Sequence, residues 1–250
     1  HHPDVATRDL SSLRWIGYGA EPVPHNTLAR ALELFGPILT QNFGLTEAMM
    51  TCTLLGPDEH MRPDGTLRVG CIGRPYTFVD IVLRDGDGSP VPQGEVGEIT
   101  IRAEHVMREY WHKPRETAAS LRDGWLWTGD LARLDADGYY YLSGRSKDMI
   151  ISGGFNIYPQ EVERFVGSHP DVEECAVIGV SDAAFGEAAV AFVAARFGAG
   201  LNNDALHAYC RPELGIKTPR RWLLLDALPK TPNGKIDKAA LRASLEGPAT

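Results

Sequence analysis

The chain has 250 residues, 43% of them hydrophobic, with a formal net charge of −8. This length admits one large domain or two smaller ones, and the apolar content excludes a disordered chain. The acidic balance gives no support to a nucleic-acid-binding role, which calls for a basic face. Leu13–Tyr18 then reads as a strand ending at Gly19. Asn26 is placed to cap a helix with Leu28, Leu32 and Phe35 on its apolar face, stopped by Gly36-Pro37. Ile38–Asn42 is a further short strand, and the strand–helix–strand order suggests the tail of an α/β domain.

From Val69 to Leu142 the pattern changes to a small antiparallel β region. Phe78–Arg84 and Gly97–Ala103 are strand-like, separated by the turn chemistry of Asp85-Gly86-Asp87-Gly88. Asp135-Ala136-Asp137-Gly138 has the first acidic positions of a calcium loop but lacks the later ligands, and is taken as a turn. Tyr139–Leu142 reads as a strand broken at Ser143-Gly144. The charged Arg145-Ser146-Lys147 follows, then a second short strand at Met149–Ile151 and a turn at Gly153-Gly154. Beyond it, a Pro159–Ser168 helix, strands at Val172–Val180 and Ala188–Arg196, and a helix capped by Asn202 or Asn203 make a compact α+β unit. A strand at Trp222–Leu225 and a final helix capped by Asp237 complete it.

Cys52, Cys71, Cys175 and Cys210 are far apart, with no Cys-x-x-Cys pair, and read as buried small residues in a reducing compartment. The longest apolar run, Ala188–Ala195, is far short of the ~20 residues of a membrane helix. There is no signal peptide, and His1-His2 read as a tag remnant, so a cytoplasmic location without a transmembrane segment is expected.

Several segments carry chemistry. Gln41-Asn42-Phe43-Gly44-Leu45-Thr46-Glu47 follows a strand, and a threonine beside a glutamate on a glycine-loosened loop suits phosphate and Mg²⁺. Gly19-Ala20-Glu21-Pro22 is a second turn. Trp127-Thr128-Gly129-Asp130 ends in a carboxylate able to accept two bonds from a diol. Pro229-Lys230-Thr231-Pro232-Asn233-Gly234-Lys235-Ile236-Asp237 is a stiff exposed loop carrying a lysine. Taken alone, each is an ordinary turn, strand end or solvated loop. No Gly-x-Ser-x-Gly, His-Glu-x-x-His or Gly-x-Gly-x-x-Gly competes with them.

Together with Gly144-Arg145-Ser146-Lys147-Asp148 and Ile151-Ser152-Gly153-Gly154-Phe155-Asn156-Ile157-Tyr158-Pro159, these segments resemble, in order, the motifs of acyl-adenylate-forming enzymes, most closely the acid–CoA ligases. The resemblance spans Gly19–Asp237. It implies the C-terminal part of a large α/β domain with an antiparallel β region (1–144), a hinge (145–148) and a small mobile α+β domain (149–250). It further implies ATP-dependent, AMP-forming activation of a fatty or aryl acid to an acyl-adenylate and then a coenzyme A thioester.

The residues it assigns to ATP and AMP are Gly19, Ala20, Glu21, Pro22, Asn42, Phe43, Gly44, Leu45, Thr46, Asp130, Arg145 and Lys235. Phe43 stands where the family has a tyrosine. Lys235, Thr46 and Glu47 are the implied catalytic residues, with Glu47 also the Mg²⁺ ligand; Lys147 is the implied hinge; Gly153, Gly154 and Arg220 are assigned to coenzyme A. Met49 and Met50 either line the acid pocket or fill core gaps. The family's Ser/Thr/Gly-rich loop ending in Pro-Lys-Gly is absent, so the missing N-terminal part of the enzyme is an expected partner. The alternatives are an adenylation domain that loads a carrier protein, and an inactive module that binds only nucleotide or a partner chain.

Overall fold

The computed structural model describes residues 3–20 and 23–246. The chain divides into two compact units, His1–Ser143 and Gly144–Thr250.

The first unit begins with β1 (Ile16–Gly19), α1 (His25–Phe35) and β2 (Leu39–Leu45). β1 and β2 are parallel, as expected of two strands joined through a helix. Asn26 does not cap α1: the helix starts at His25, and Pro24, two residues before Asn26, occupies the cap position with a φ of −58°. The chain continues through β3 (Met49–Leu55), β4 (Cys71–Pro75), β5 (Asp80–Arg84), β6 (Val96–Arg102), α2 (Pro114–Ser120), β7 (Leu121–Arg122), β8 (Trp125–Leu134) and β9 (Tyr140–Arg145). These form a nine-stranded sheet in the order β1-β2-β3-β4-β9-β8-β6-β5, with β7 on β8. Its core holds Phe43, Ala48, Cys52, Ile72, Ile99, Ile101 and Leu126.

Two expectations are corrected here. Gln41–Leu45 is strand rather than loop, because β2 runs on through the motif and turns directly into β3. Ser143-Gly144 does not break the last strand: Ser143 and Gly144 are buried within β9, which continues to Arg145. Asp135 does make a turn, its Oδ1 accepting from the amides of Asp137 and Tyr139. Arg68, 5% exposed, pairs with that carboxylate at 3.3 Å.

In the second unit, a single-turn 3-10 helix over Ser146–Asp148 leads into β10 (Ile150–Ser152), β11 (Phe155–Ile157), α3 (Pro159–Val166), β12 (Val172–Asp182) and β13 (Gly186–Ala195). It ends with α4 (Asn203–Leu214), β14 (Arg221–Leu225) and α5 (Lys238–Glu246). The sheet order is β11-β10-β13-β12, with β14 paired in parallel to β13 on the edge away from β12. The apolar run in β13 is explained by burial on both faces. Ala189, Ala191 and Val193 join the core with Val162, Val166, Leu206 and Cys210 of α3 and α4. Val190, Phe192 and Ala194 join Leu241 of α5 on the other side. Asn202 caps α4 through the amide of Ala205, and Asp237 accepts from Ala240 at the start of α5. Among the described residues no helix is long and apolar enough to cross a membrane.

Candidate active site

The carboxyl ends of β1 and β2 bring the first two motifs side by side, the place where parallel strands present ligands. Gly19 is in register with Asn42. A Cβ on Gly19 would lie 2.3 Å from the Asn42 carbonyl oxygen, so the two backbones meet only with glycine there. Ala20 follows at φ 68°, a left-handed conformation costing an alanine about 1–2 kcal/mol. Glu21 and Pro22 lie outside the described residues, as do His1 and His2.

The Gln41–Glu47 segment is folded tightly onto β3. The β2–β3 ladder slips between Phe43 and Leu45. At that bulge a Cβ on Gly44 would fall 1.8 Å from the Met49 carbonyl oxygen. Leu45 pairs with Met49, and Thr46–Ala48 closes the connection as one 3-10 turn. Thr46 is exposed there. Phe43 is 8% exposed and belongs to the core cluster with Ala48 and Cys52, so most of its ring is covered by the protein. Asn42 Oδ1 accepts from Tyr76 Oη at 2.9 Å.

Glu47 is half-buried and oriented from outside the motif. Tyr110 Oη donates to its Oε1 at 2.6 Å, and the Met107 amide donates to its backbone carbonyl at 2.7 Å. Tyr110 and Tyr76 are residues that the sequence analysis missed. Sixty-three positions separate Tyr110 from Glu47, and no local pattern announces such a bond. Among the described residues no group of three or more His, Cys, Asp or Glu could hold a metal ion. One oriented carboxylate beside an exposed hydroxyl fits a Mg²⁺ that arrives on phosphate oxygens, the usual habit of that ion. Within this chain Met49 and Met50 are 62% and 55% exposed.

Asp130 lies in β8 and not in a turn. The β6–β8 ladder slips between Glu98 and Thr100, leaving Thr128, Gly129 and Asp130 opposite Ile99. The bulge is pinned on both sides. Thr128 Oγ1 donates to the Ile99 carbonyl at 2.9 Å, the Gly129 amide donates to Glu98 Oε1 at 2.8 Å, and the Asp130 amide donates to Thr128 Oγ1 at 3.1 Å. Bulges re-aim side chains, and this one fixes the backbone that carries the Asp130 carboxylate. β3, β4 and β9 lie between β2 and β8 in the sheet, so Asp130 is not a strand neighbour of Asn42.

The thiols offer no competing nucleophile. Burial pushes those of Cys52, Cys71 and Cys210 up to about 11, and that of Cys175 well above its usual range. All four are protonated at neutral pH.

In the second unit, Arg145 and Lys147 are exposed at the start. Gly153 and Gly154 turn β10 into β11 at φ 57° and 82°. Phe185 closes one side of Gly153: its carbonyl accepts the Gly153 amide at 2.8 Å, and its ring would stand 3.1 Å from a Cβ there. Arg220 lies over that ring, its guanidinium carbon 3.6 Å from the centroid. The structure therefore gathers Gly153, Phe185 and Arg220. Lys217, three residues before Arg220, is held by both carboxylate oxygens of Glu161 at 2.8 Å. Lys235 is exposed at the end of a small hairpin in which Lys230 bridges Ile236 and the Thr231 amide donates to the Lys235 carbonyl at 2.7 Å.

Comparison with known proteins accords with this arrangement. Residues 1–111 match the model of the AMP-binding enzyme family, and residues 161–235 match the AMP-binding enzyme C-terminal domain. The chain is 43% identical over 250 residues to a medium/long-chain-fatty-acid–CoA ligase of Mycobacterium tuberculosis, covering 97% of this chain and 43% of that protein. It is 43% identical over 242 residues to a feruloyl-CoA synthase of an Amycolatopsis species, covering 96% and 48% respectively. The chain thus spans about half the length of the curated relatives it matches. Among solved structures, the amide bond synthetase McbA of Marinactinospora thermotolerans superposes with a TM-score of 0.91 at 39% identity, over 97% of this chain and 49% of that one. The chain belongs to the family of AMP-binding enzymes, with parts of both the main domain and the C-terminal domain of that family.

Proposed function

We propose that the whole protein carrying this chain is an acid–CoA ligase. It would activate a fatty or aryl carboxylic acid with ATP, release pyrophosphate, and pass the acyl group from AMP to coenzyme A. The register of Gly19 with Asn42 at the carboxyl ends of two parallel strands is the structural observation that supports it most. The relatives' names, a fatty-acid ligase and a feruloyl ligase at equal identity, support the acid class.

In this reading Gly19, Ala20, Glu21, Pro22, Asn42, Gly44 and Leu45 shape the nucleotide's bed, with the covered ring of Phe43 beneath it. Thr46 donates its hydroxyl to phosphate. Glu47, held by Tyr110, offers its free oxygen to a Mg²⁺ that neutralises phosphate charge. Asp130 accepts from the ribose hydroxyls. Arg145 adds a donor, and Lys235 sets its ammonium against the carboxylate and α-phosphate where negative charge builds. The C-terminal unit then turns at Lys147. The pantetheine passes Gly153 and Gly154, with Arg220 near the phosphates of coenzyme A. The free, scattered cysteines support a cytoplasmic setting.

The acyl acceptor admits a second reading. The solved neighbour titled an amide bond synthetase supports transfer to an amine, and a carrier-protein thiol is a third acceptor of the same chemistry. A panel of fatty and aryl acids tests the first half through acid-dependent exchange of labelled pyrophosphate into ATP. Coenzyme A, an amine and a phosphopantetheinyl carrier, offered in parallel, test the second. Thioester formed with free coenzyme A is the expected result; pyrophosphate exchange without it moves the function to another acceptor.

A further inference from the structure

The Lys235 hairpin is tied to the body of its unit by two ion pairs that no nucleotide role requires. Lys230, at its entry, pairs with Glu174 of β12. Lys238, three residues beyond Lys235 and the first residue of α5, donates to Glu163 Oε1 of α3 at 2.6 Å. The second pair is partly desolvated, with side chains 28% and 18% exposed, so it is less screened than a surface pair. The same Oε1 accepts the Val177 amide of β12 at 2.7 Å. Glu163 is thereby fixed to the central sheet while it holds Lys238.

Between the two ties the hairpin is short and internally bonded. The Gly234 amide donates to the Thr231 carbonyl at 2.9 Å, and the Asp237 amide to the Pro229 carbonyl at 2.8 Å. A displacement at Lys238 is therefore carried to Lys235 with little slack.

We propose that the Glu163–Lys238 pair is a clamp that positions the Lys235 hairpin, and that both are positioning residues for adenylation. The second clause rests on the role given to Lys235 above. A reacting group displaced by about 1 Å loses on the order of 10²-fold in rate. Loosening the clamp therefore costs adenylation about 10- to 100-fold without touching the second half-reaction.

Lys238→Met in the whole enzyme removes the cation and leaves Glu163 bonded to Val177. Two readouts are taken: the rates of the two half-reactions, and amide hydrogen exchange across residues 229–237. The expected result is faster exchange in the hairpin, slower acyl-adenylate formation with an unchanged apparent KM for ATP, an unchanged rate from supplied acyl-adenylate to thioester, and recovery of all three in Lys238→Arg. Unchanged hairpin exchange overturns the clamp. Faster exchange with unchanged adenylation overturns its positioning role, as does equal loss in both half-reactions. Lys235→Ala, assayed alongside, tests the reading beneath it. If that variant adenylates normally, the role of Lys235 fails, and hairpin exchange alone decides whether the clamp exists.

Discussion

The two units present their candidate residues in opposite ways. In the first, the chemistry is set into the sheet itself. Gly44 and Asp130 both sit at slips in antiparallel ladders, and Gly19 touches the backbone of its neighbouring strand. In the second, Gly153-Gly154 and Lys235 stand on turns at the ends of hairpins, outside a sheet whose central strand is buried on both faces. A bed for a nucleotide needs fixed backbone geometry, and close packing supplies it. Groups that act at one stage only are better carried on protruding turns, where they leave a site without disturbing a core.

The sharpest break of this comparison is a side chain at Gly44. Its Cβ would meet backbone and not a flexible neighbour, so Gly44→Ala should destabilise the first unit by about 3 kcal/mol. Thermal unfolding should show a large loss, whereas Gly154→Ala, with nothing within 4 Å and only the about 1–2 kcal/mol of a left-handed backbone at φ 82° against it, should show a smaller one. Similar losses in both would erase the contrast between the units.

Asp130→Ala comes next. Losing a charged acceptor for a diol should weaken AMP and ATP binding by roughly 1.5–3 kcal/mol, while the bulge, pinned by Thr128 and Glu98, keeps its fold. Calorimetric titration with AMP checks this, and unchanged affinity removes Asp130 from the site. For Glu47→Gln we expect a higher Mg²⁺ concentration at half-maximal adenylation. Tyr110→Phe should shift that concentration the same way but less, since it frees the carboxylate without removing it.

The smallest effect concerns pH. His60 is 1% exposed, its Nε2 3.0 Å from Tyr18 Oη. Burial holds its imidazole below the ordinary 6.5, outweighing the backbone carbonyls of Pro57 and Gly56 and the Glu59 charge, which act the other way. The unfolded chain thus takes up a proton at a pH where the folded chain refuses it. The stability from a neutral His60 is complete above about 6.5 and is lost as pH falls through the lower folded value. The Tm of the wild type should drop more between pH 7.5 and 5.5 than that of His60→Gln; parallel slopes would remove His60 as the cause.

How much was legible in the sequence follows the same divide. Most of the second unit was readable, because Asn202 and Asp237 signal their helices locally and β13 is a continuous apolar run. In the first unit, β3, β4 and α2 went unseen, and β8 was hidden by its own motif. Thr128-Gly129-Asp130 contains the residues that usually end a strand, and only the bulge reconciles them with one. The motifs could be found by their residues; their support could not. Tyr110 on Glu47 and Lys238 on Glu163 are bonds across 63 and 75 positions, which local periodicity does not encode.

The central claim is that the exposed turns of the second unit serve separate steps, and the half-reactions of Lys235→Ala and Gly153→Leu in the whole enzyme test it most directly. Lys235→Ala should form acyl-adenylate about 10²–10³-fold more slowly, yet convert supplied acyl-adenylate and coenzyme A to thioester at near the wild-type rate. Gly153→Leu should adenylate normally and fail at thioester formation, because a side chain on that turn narrows the space where the pantetheine is proposed to pass the backbone. Equal impairment of both half-reactions in a folded Lys235→Ala protein would contradict the account.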